Sequence, residues 1–294
     1  RDVERSRGLG DVYKRQGKYS RKPWFGCACC PSNVSRFIPS LPGYVYAVKD
    51  NQVYVNLYLS NKAELIVNKK KVVLEQETGY PWNGDIRVKV AQGNQEFALK
   101  LRIPGWVRNE VLPSGLYSYA DNQKPTYRII VNGQETANTL NNGYLSIERK
   151  WKKGDVVKIH FDMLPRIVKA NEKVVDDKGR VSVERGPIVY CAEWPDNKCN
   201  VHTVLLNQHP QFKVVEKPEL LYGISQLKTD AQALSYDKNG KLITKDTELT
   251  LIPYYAWAHR GEGDMKVWLP IDVSAASALP QEVQKWEDNG FFKN

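Results

Sequence analysis

The chain has 294 residues, of which 41% are hydrophobic and 26% are charged. This length accommodates about two domains, and the composition excludes a disordered or fibrous protein. No apolar run is long enough to span a bilayer. The net charge of +10 could attract nucleic acid or an acidic polysaccharide, but the basic residues are dispersed and do not interleave with aromatic ones. We therefore expect neither a membrane nor a nucleic-acid partner.

The first residues carry no sign of a secretory signal, because they are basic and polar and lack an apolar core. Asp11–Gln16 resembles the adapter-derived sequence found at the ends of assembled reading frames. We predict that residues 1–16 are a non-native leader and that the chain is part of a longer protein. The compartment, bacterial periplasm or cytoplasm, stays open.

Residues 24–33 read WFGCACCPSN and contain three of the five cysteines. Cys29 and Cys30 are adjacent, and the peptide between them resists the geometry of a disulfide. Both can offer thiolates to one soft metal ion, for which Zn²⁺ is the first candidate. A structural zinc site, and disulfides to Cys191, to Cys199 or to another chain, also stay open.

A short helix is predicted directly after these cysteines. Ser32 or Asn33 is the predicted N-cap, and apolar residues at positions 34, 37, 38 and 41 form one face. This places the cysteines in a loop just before a helix N-terminus, where the helix dipole favours a thiolate.

The chain then becomes strand-like, with alternating apolar and polar residues between turn signals. Asn132-Gly133 is the strongest hairpin signal, and residues 108–125 are predicted to be irregular. The strands predict a β-sandwich over 47–164. They lie at 44–48, 53–59, 63–67, 72–77, 85–90, 97–103, 127–131, 143–147 and 156–161.

A second β-rich unit is predicted over 165–294, ending in a linker or tail at 274–290. The fold class is therefore mainly β, with two consecutive β-sandwich domains preceded by a short helical segment at 17–46. The predicted strands of the second domain lie at 166–170, 180–184, 187–192, 202–206, 212–216, 224–227, 248–253 and 265–269.

Other candidate chemistry is sparse. None of the four histidines has a Cys or His at metal-ligand spacing, and His160, on an alternating strand, is predicted to pack inside. Residues 184–187 are interpreted as a strand end and turn, and 259–264 as a polar surface turn. No phosphate-binding glycine motif and no nucleophile elbow are present.

Residues 24–33 closely resemble the double-cysteine motif of the β-L-arabinofuranosidases of glycoside hydrolase families 127 and 146. The resemblance continues in the family's order and covers nearly everything from about Lys18 to the end of the second sandwich. The further matching segments are 53–58, 76–82, 101–106, 183–187 and 257–261.

The resemblance implies an N-terminal (α/α)6 barrel that carries the active site, of which 17–46 would be the C-terminal remnant. Cys29 matches the catalytic nucleophile, and Cys29 and Cys30 match two ligands of a Zn²⁺ cofactor. The family's remaining zinc ligands, a Glu and a Cys, and its general acid/base Glu lie upstream and are not in this chain. No role is carried over to Cys27.

The implied activity is retaining, exo-acting release of L-arabinofuranose from a plant-type arabinose-containing glycan or oligosaccharide. A zinc-bound thiolate would attack the anomeric carbon while a carboxylic acid protonates the departing oxygen. We expect this chain alone to be inactive and to bind zinc poorly, and self-association into a homo-oligomer is left open.

Two other classes of function stay open. One is a non-catalytic carbohydrate-binding β-sandwich protein whose cysteines form a structural zinc or disulfide cluster; exposed Trp and Tyr on one sheet face would favour it. The other is a cysteine acyl-transfer enzyme, which lacks a convincing histidine partner for the thiol.

Overall fold

A computed structural model of the chain describes residues 29–121, 123–136, 139–261 and 263–276. Helix α1 (Cys29–Ser40) and the single helical turn α2 (Pro42–Val45) precede a long succession of strands. The predictions of a short helix over the apolar positions 34, 37 and 38 and of a mainly β chain are confirmed. The predicted leader at 1–16 and most of the predicted tail lie outside the described residues. No helix within the described ranges is long and apolar enough to cross a membrane.

The strands follow one another at short spacing, as their alternating patterns and intervening turn residues predict. They are β1 (Tyr46–Lys49), β2 (Gln52–Val55), β3 (Asn61–Val67), β4 (Lys70–Thr78), β5 (Asp85–Gln92), β6 (Asn94–Arg102), β7 (Tyr117–Tyr119), β8 (Tyr127–Val131), β9 (Gln134–Glu135), β10 (Leu140–Asn141), β11 (Tyr144–Lys152), β12 (Val156–Phe161), β13 (Pro165–Ala170), β14 (Arg180–Arg185), β15 (Ile188–Glu193), β16 (Val204–Leu206), β17 (Lys213–Lys217), β18 (Ile224–Tyr236), β19 (Leu242–Pro253), β20 (Met265–Lys266) and β21 (Leu269–Pro270).

The first of two compact units includes the described residues of 29–113 and 123–164. It contains a five-stranded sheet in the order β1-β2-β6-β11-β10 and a six-stranded sheet in the order β3-β4-β5-β12-β8-β9. The side-chain amide of Gln95 on β6 donates to the carbonyl of Val67 on β3 at 3.3 Å, which links the two sheets. Inward-facing residues such as Leu99, Leu101 and Ile159 are buried between them.

The hairpin predicted at Asn132-Gly133 is confirmed, because Val131 on β8 pairs with Gln134 on β9. Both turn residues have positive φ, +51° and +87°, a conformation that Asn and Gly tolerate best. The predicted hairpin of 44–48 with 53–59 also forms, but its strands are shorter because Tyr44 and Val45 belong to α2.

The second unit includes the described residues of 114–121 and 165–276. Its sheet follows the order β16-β18-β19-β15-β14-β13-β7, with β17, β20 and β21 pairing alongside. Residues 117–119, predicted to be irregular, form a strand paired with β13. Strand β18 is longer than the predicted 224–227 because it pairs along ten residues with β19. A buried apolar cluster that includes Val183, Leu227 and Leu251 forms the core.

Candidate functional site

Cys29 is the first described residue of helix α1, and its side chain is exposed. Both Cys29 and Cys30 therefore lie in the helix, and the prediction that they precede it in a loop is wrong. Ser32 is not an N-cap either, because its hydroxyl donates to the carbonyl of Cys29 at 3.0 Å within the first turn. That turn contains no acidic residue, and the N-terminal end of a helix favours negative charge.

Helix α1 is joined to the first unit through the residues that follow it. Val45 of α2 is buried, and its carbonyl accepts from the amides of Asn56 at 2.9 Å and of Leu57 at 3.4 Å. Tyr46 places its hydroxyl 2.8 Å from the side-chain amide of Gln76, which donates to it. Burial raises the pKa of the Tyr46 phenol, so the group stays neutral and keeps this hydrogen bond. The cysteine-bearing helix thus has an anchored C-terminal end.

The apolar face predicted for α1 is present, but it is exposed. Val34, Phe37 and Ile38 are 52%, 56% and 57% accessible to solvent. An amphipathic helix gains most of its stability by burying such a face. The face therefore has the character of a surface that packs against further protein.

Zinc was expected here, and the described residues fit it only in part. A zinc site usually has four ligands, and the thiol of Cys29 is one suitable donor; the side chain of Cys30 lies outside the described residues. Within the described ranges no group of three or more His, Cys, Asp or Glu side chains could hold a metal ion. A complete site would need Cys30 and donors beyond these ranges.

The motif at 183–187 forms a strand end and a turn, as interpreted from the sequence. Glu184 accepts a hydrogen bond from the hydroxyl of Tyr119 at 3.1 Å. The guanidinium of Arg166 lies 3.5 Å from the centre of the Tyr119 ring and pairs with Asp121 at 2.7 Å. Burial raises the pKa of Glu184. This effect outweighs the hydrogen bond from Tyr119 and the charge of Arg166, which both lower the pKa. This polar cluster holds β7 against β13 and β14.

The polar segment after Trp257 is also structural. Arg260 pairs with the carboxylates of Glu193 and Asp196, and Glu193 accepts from the amide of Ala258 at 2.6 Å. These contacts fix the segment to the end of β15.

The two cysteines of the second unit occupy different places. Cys191 is buried in a cluster with Ile224 and Ile252. Cys199 packs against the main core cluster of the unit.

His160 lies on the outer face of the six-stranded sheet, so the prediction that it packs inside is wrong. Its ring nitrogens lie 2.7 Å from Asp85 and 3.4 Å from Asp162. On β12 the alternate residues Val157, Ile159 and Phe161 are buried. Because successive side chains of a strand point to opposite faces, His160 faces outward.

Beside His160 lies a cleft of about 660 Å³ that sequence reasoning missed. Its charged side chains come from four strands, of which β8 and β12 are distant in sequence from β4 and β5. The alternation of apolar and polar residues predicts that each of these side chains lies on an outer sheet face, but it does not predict which of them are neighbours.

Two protein-family models match the chain. The model described as "Beta-L-arabinofuranosidase, GH127 middle domain" matches residues 52–163, and that described as "Glycoside hydrolase family 127 C-terminal domain" matches residues 165–270. The two matches are consecutive and correspond to the bulk of the two units. Neither match includes Cys29 or Cys30.

Three relatives illustrate the similarity. A curated non-reducing end β-L-arabinofuranosidase of Bifidobacterium longum subsp. longum is 30% identical over 281 residues, covering 89% of this chain and 40% of the relative. A solved structure described as a GH127 β-arabinofuranosidase is 81% identical with a TM-score of 0.87, covering 90% of this chain and 42% of the other. A GH127 β-L-arabinofuranosidase structure from Geobacillus stearothermophilus T6 is 33% identical with a TM-score of 0.76, covering 87% and 39%. The chain thus spans about two fifths of the length of these relatives.

Proposed function

Because this chain belongs to glycoside hydrolase family 127 and carries the family's middle and C-terminal domains, we propose that it is part of a retaining exo-glycosidase. The enzyme would release L-arabinofuranose from β-L-arabinofuranosides of plant-type glycans. The observation that carries the proposal is the position of Cys29, an exposed cysteine at the start of a helix anchored to the middle domain.

Cys29 acts in this proposal as the nucleophile. A thiolate is the reactive form of cysteine and is favoured near cations, metals and helix N-termini. Zinc held by Cys29, by Cys30 and by donors outside the described residues would keep the sulfur deprotonated. The N–H groups of the first turn of α1 support the same charge.

The proposed reaction has two steps, and each is a displacement at the anomeric carbon. The sulfur of Cys29 forms a bond to the anomeric carbon as the glycosidic C–O bond breaks, and a carboxylic acid gives its proton to the leaving oxygen. Water then adds to the anomeric carbon, loses a proton to the same carboxylate and releases the sulfur. Two displacements retain the anomeric configuration.

The general acid and the remaining zinc ligands are proposed to come from the part of the longer relatives that this chain does not span. The exposed face of α1, formed by Val34, Phe37 and Ile38, supports this arrangement. Packing that face against further protein would bury apolar surface and bring the new groups close to Cys29.

The carbohydrate-binding alternative receives less support. Among the described residues, the exposed Trp and Tyr side chains are Tyr44, Trp82, Tyr222 and Tyr255. They lie in helical turns or connecting segments rather than on one sheet face, so they do not form the flat platform that this alternative needs.

The experiment is a chimera in which this chain replaces the matching portion of the 81% identical relative. We expect the chimera to hydrolyse an aryl β-L-arabinofuranoside and to contain zinc. Cys29→Ala should lower turnover by roughly 10⁶-fold, the order of loss when a catalytic nucleophile is removed.

Cys199→Ala is the matched control, since it removes a thiol that packs against the core of the second unit; it should leave turnover intact. Full activity of the Cys29→Ala chimera would overturn the proposed role of Cys29. If the parent chimera is folded and contains zinc but is inactive, the proposal that the released sugar is L-arabinofuranose is wrong.

A further inference from the structure

The cleft beside His160 opens on the outer face of the six-stranded sheet and is formed by β4, β5, β8, β12 and the connection after β4. The inward neighbours Ile86, Ile129 and Ile159 are buried. Because side chains alternate across a strand, the residues between them face outward into the cleft. The outward-facing basic residues are Arg87, Arg128, Lys158 and His160.

The strand register places these basic groups opposite one another. Lys158 on β12 pairs directly with Arg87 on β5, and His160 on β12 pairs directly with Arg128 on β8. Directly opposed side chains have Cβ atoms about 5 Å apart, and the like charges of Lys158 and Arg87 at this spacing destabilise the sheet. A bound anion between them would relieve that repulsion.

The local carboxylates provide only part of this counter-charge. Glu77 pairs with Arg87 at 2.8 Å, and Asp85 is bound to His160 at 2.7 Å. Arg128 and Lys158 form no ion pair with any residue in the described ranges.

Elsewhere on the same sheet, three of the four basic residues are paired. Lys62 and Lys89 both contact Glu75, at 3.0 and 3.6 Å, and Lys71 contacts Glu64 at 2.7 Å. Among the described residues Lys70, at the start of β4, has no ion pair. The cleft differs in that the register brings two cations without an ion pair, Arg128 and Lys158, to neighbouring positions on β8 and β12.

We propose that this cleft is a site that binds the carboxylate groups of an acidic glycan. Arginine presents a planar fork that matches a carboxylate, and Lys158 adds a mobile ammonium group. Trp82, 52% exposed, lies on the connection that borders the cleft and offers an apolar surface to a sugar ring. The anionic character of the ligand rests on the cleft, whereas its assignment to a glycan rests on the proposed function.

The experiment is a calorimetric titration of the whole chain with trigalacturonic acid. Its fully methyl-esterified form and inorganic phosphate serve as separate probes. We expect the acid to bind one site with an affinity that falls as salt rises. The ester, which keeps the sugars but lacks the charges, should not bind, and equimolar phosphate should not displace the acid.

The test variant is the double substitution Arg128→Gln and Lys158→Gln, which should weaken binding by about tenfold or more. Lys89→Gln is the matched control, because it removes one positive charge from the same sheet at a residue that does not line the cleft. We expect this variant to bind trigalacturonic acid with the same affinity as the parent chain. Thermal unfolding checks that all variants are folded.

Equal affinity of a folded double variant and the parent would overturn the proposal. Displacement by equimolar phosphate would reduce the cleft to a simple anion site and overturn the glycan assignment. The titration requires no turnover, so a failed glycosidase assay and a failed binding assay remain distinguishable.

Discussion

Arg260 and Glu193 form an ion pair in the second unit, and the side chain of Glu193 is only 2% exposed. The guanidinium also pairs with Asp196, and the Glu193 carboxylate accepts from the amide of Ala258. Removing Glu193 takes away one of the two carboxylates that pair with Arg260 and leaves the buried Ala258 amide without its acceptor, and truncating one partner of a buried ion pair is strongly destabilising. We expect Glu193→Ala to lower the free energy of unfolding by about 3–5 kcal/mol in urea titrations.

The exposed pair of Lys228 and Glu248 is the comparison for this result. Glu248→Ala should change the free energy of unfolding by no more than about 1 kcal/mol, because water screens the pair. Equal effects of the two substitutions would show that the Glu193 pair does not hold the segment after Trp257 in place.

Asp162 makes the stability of the first unit depend on pH. The side-chain hydrogen bond from Thr126 lowers the pKa of Asp162 despite the opposing effect of burial; the Thr126 amide and His160 lower it further. Because the folded pKa lies below the unfolded one, this stabilisation is present above about pH 3.9 and is lost as pH falls through the folded pKa.

Asp162→Asn should therefore lower the free energy of unfolding at pH 7, by less than about 1 kcal/mol because the side chain is partly exposed. The difference from the parent should shrink as pH falls through the folded pKa of Asp162, because the protonated carboxyl is neutral like the amide. Urea titrations at pH 7 and at acid pH measure it. A difference that is the same at both would contradict the assigned hydrogen bonds.

Phe37 reports whether the exposed face of α1 packs against further protein. In the isolated chain Phe37 is 56% exposed, so Phe37→Ser should change the free energy of unfolding by less than about 0.5 kcal/mol. In the chimera with the 81% identical relative, the same substitution should cost about 2 kcal/mol or more, since it would remove buried apolar surface. Small effects in both proteins would mean that the face stays exposed.

The isolated chain should not hydrolyse an aryl β-L-arabinofuranoside and should retain less than one equivalent of zinc. The described residues supply only a partial set of zinc donors, and the first turn of α1 contains no acidic residue. Turnover assays and elemental analysis of the purified chain check both points. Turnover by the isolated chain, absent from its Cys29→Ala variant, would contradict the proposal that the acid comes from elsewhere.

The sequence predicted most strands because their signals are local. Alternation over Asp85–Gln92 and the Asn132-Gly133 turn each determine a strand or a hairpin without reference to distant residues. Tyr117–Tyr119 was missed because it is short and lies among serines and glycines, and becomes a strand by pairing with β13. The extension of β18 was missed for a similar reason. Its second half contains Asp230, Ala231 and Ala233, which are residue types depleted in strands, and pairing with β19 overrides this preference.

The cysteine site and the cleft also differ in how local their sequence signals are. The adjacent Cys29 and Cys30 stand out in the sequence because their chemistry is contained in consecutive residues. The cleft depends on the register that sets Lys158 opposite Arg87, and this register joins residues that are far apart in the chain. The outward orientation of His160 was available from its apolar neighbours, but its partners Asp85 and Asp162 required the fold.

Trapping the covalent intermediate would show directly whether Cys29 is the nucleophile. The chimera with the 81% identical relative would be mixed with a slowly hydrolysed aryl β-L-arabinofuranoside, quenched in acid and mapped by peptide mass spectrometry. We expect one added pentose residue on the peptide that contains Cys29, with fragmentation placing it on that sulfur, and no adduct in Cys29→Ala. A pentose attached to a carboxylate, or rapid turnover by the Cys29→Ala chimera, would contradict the assignment of Cys29 as the nucleophile.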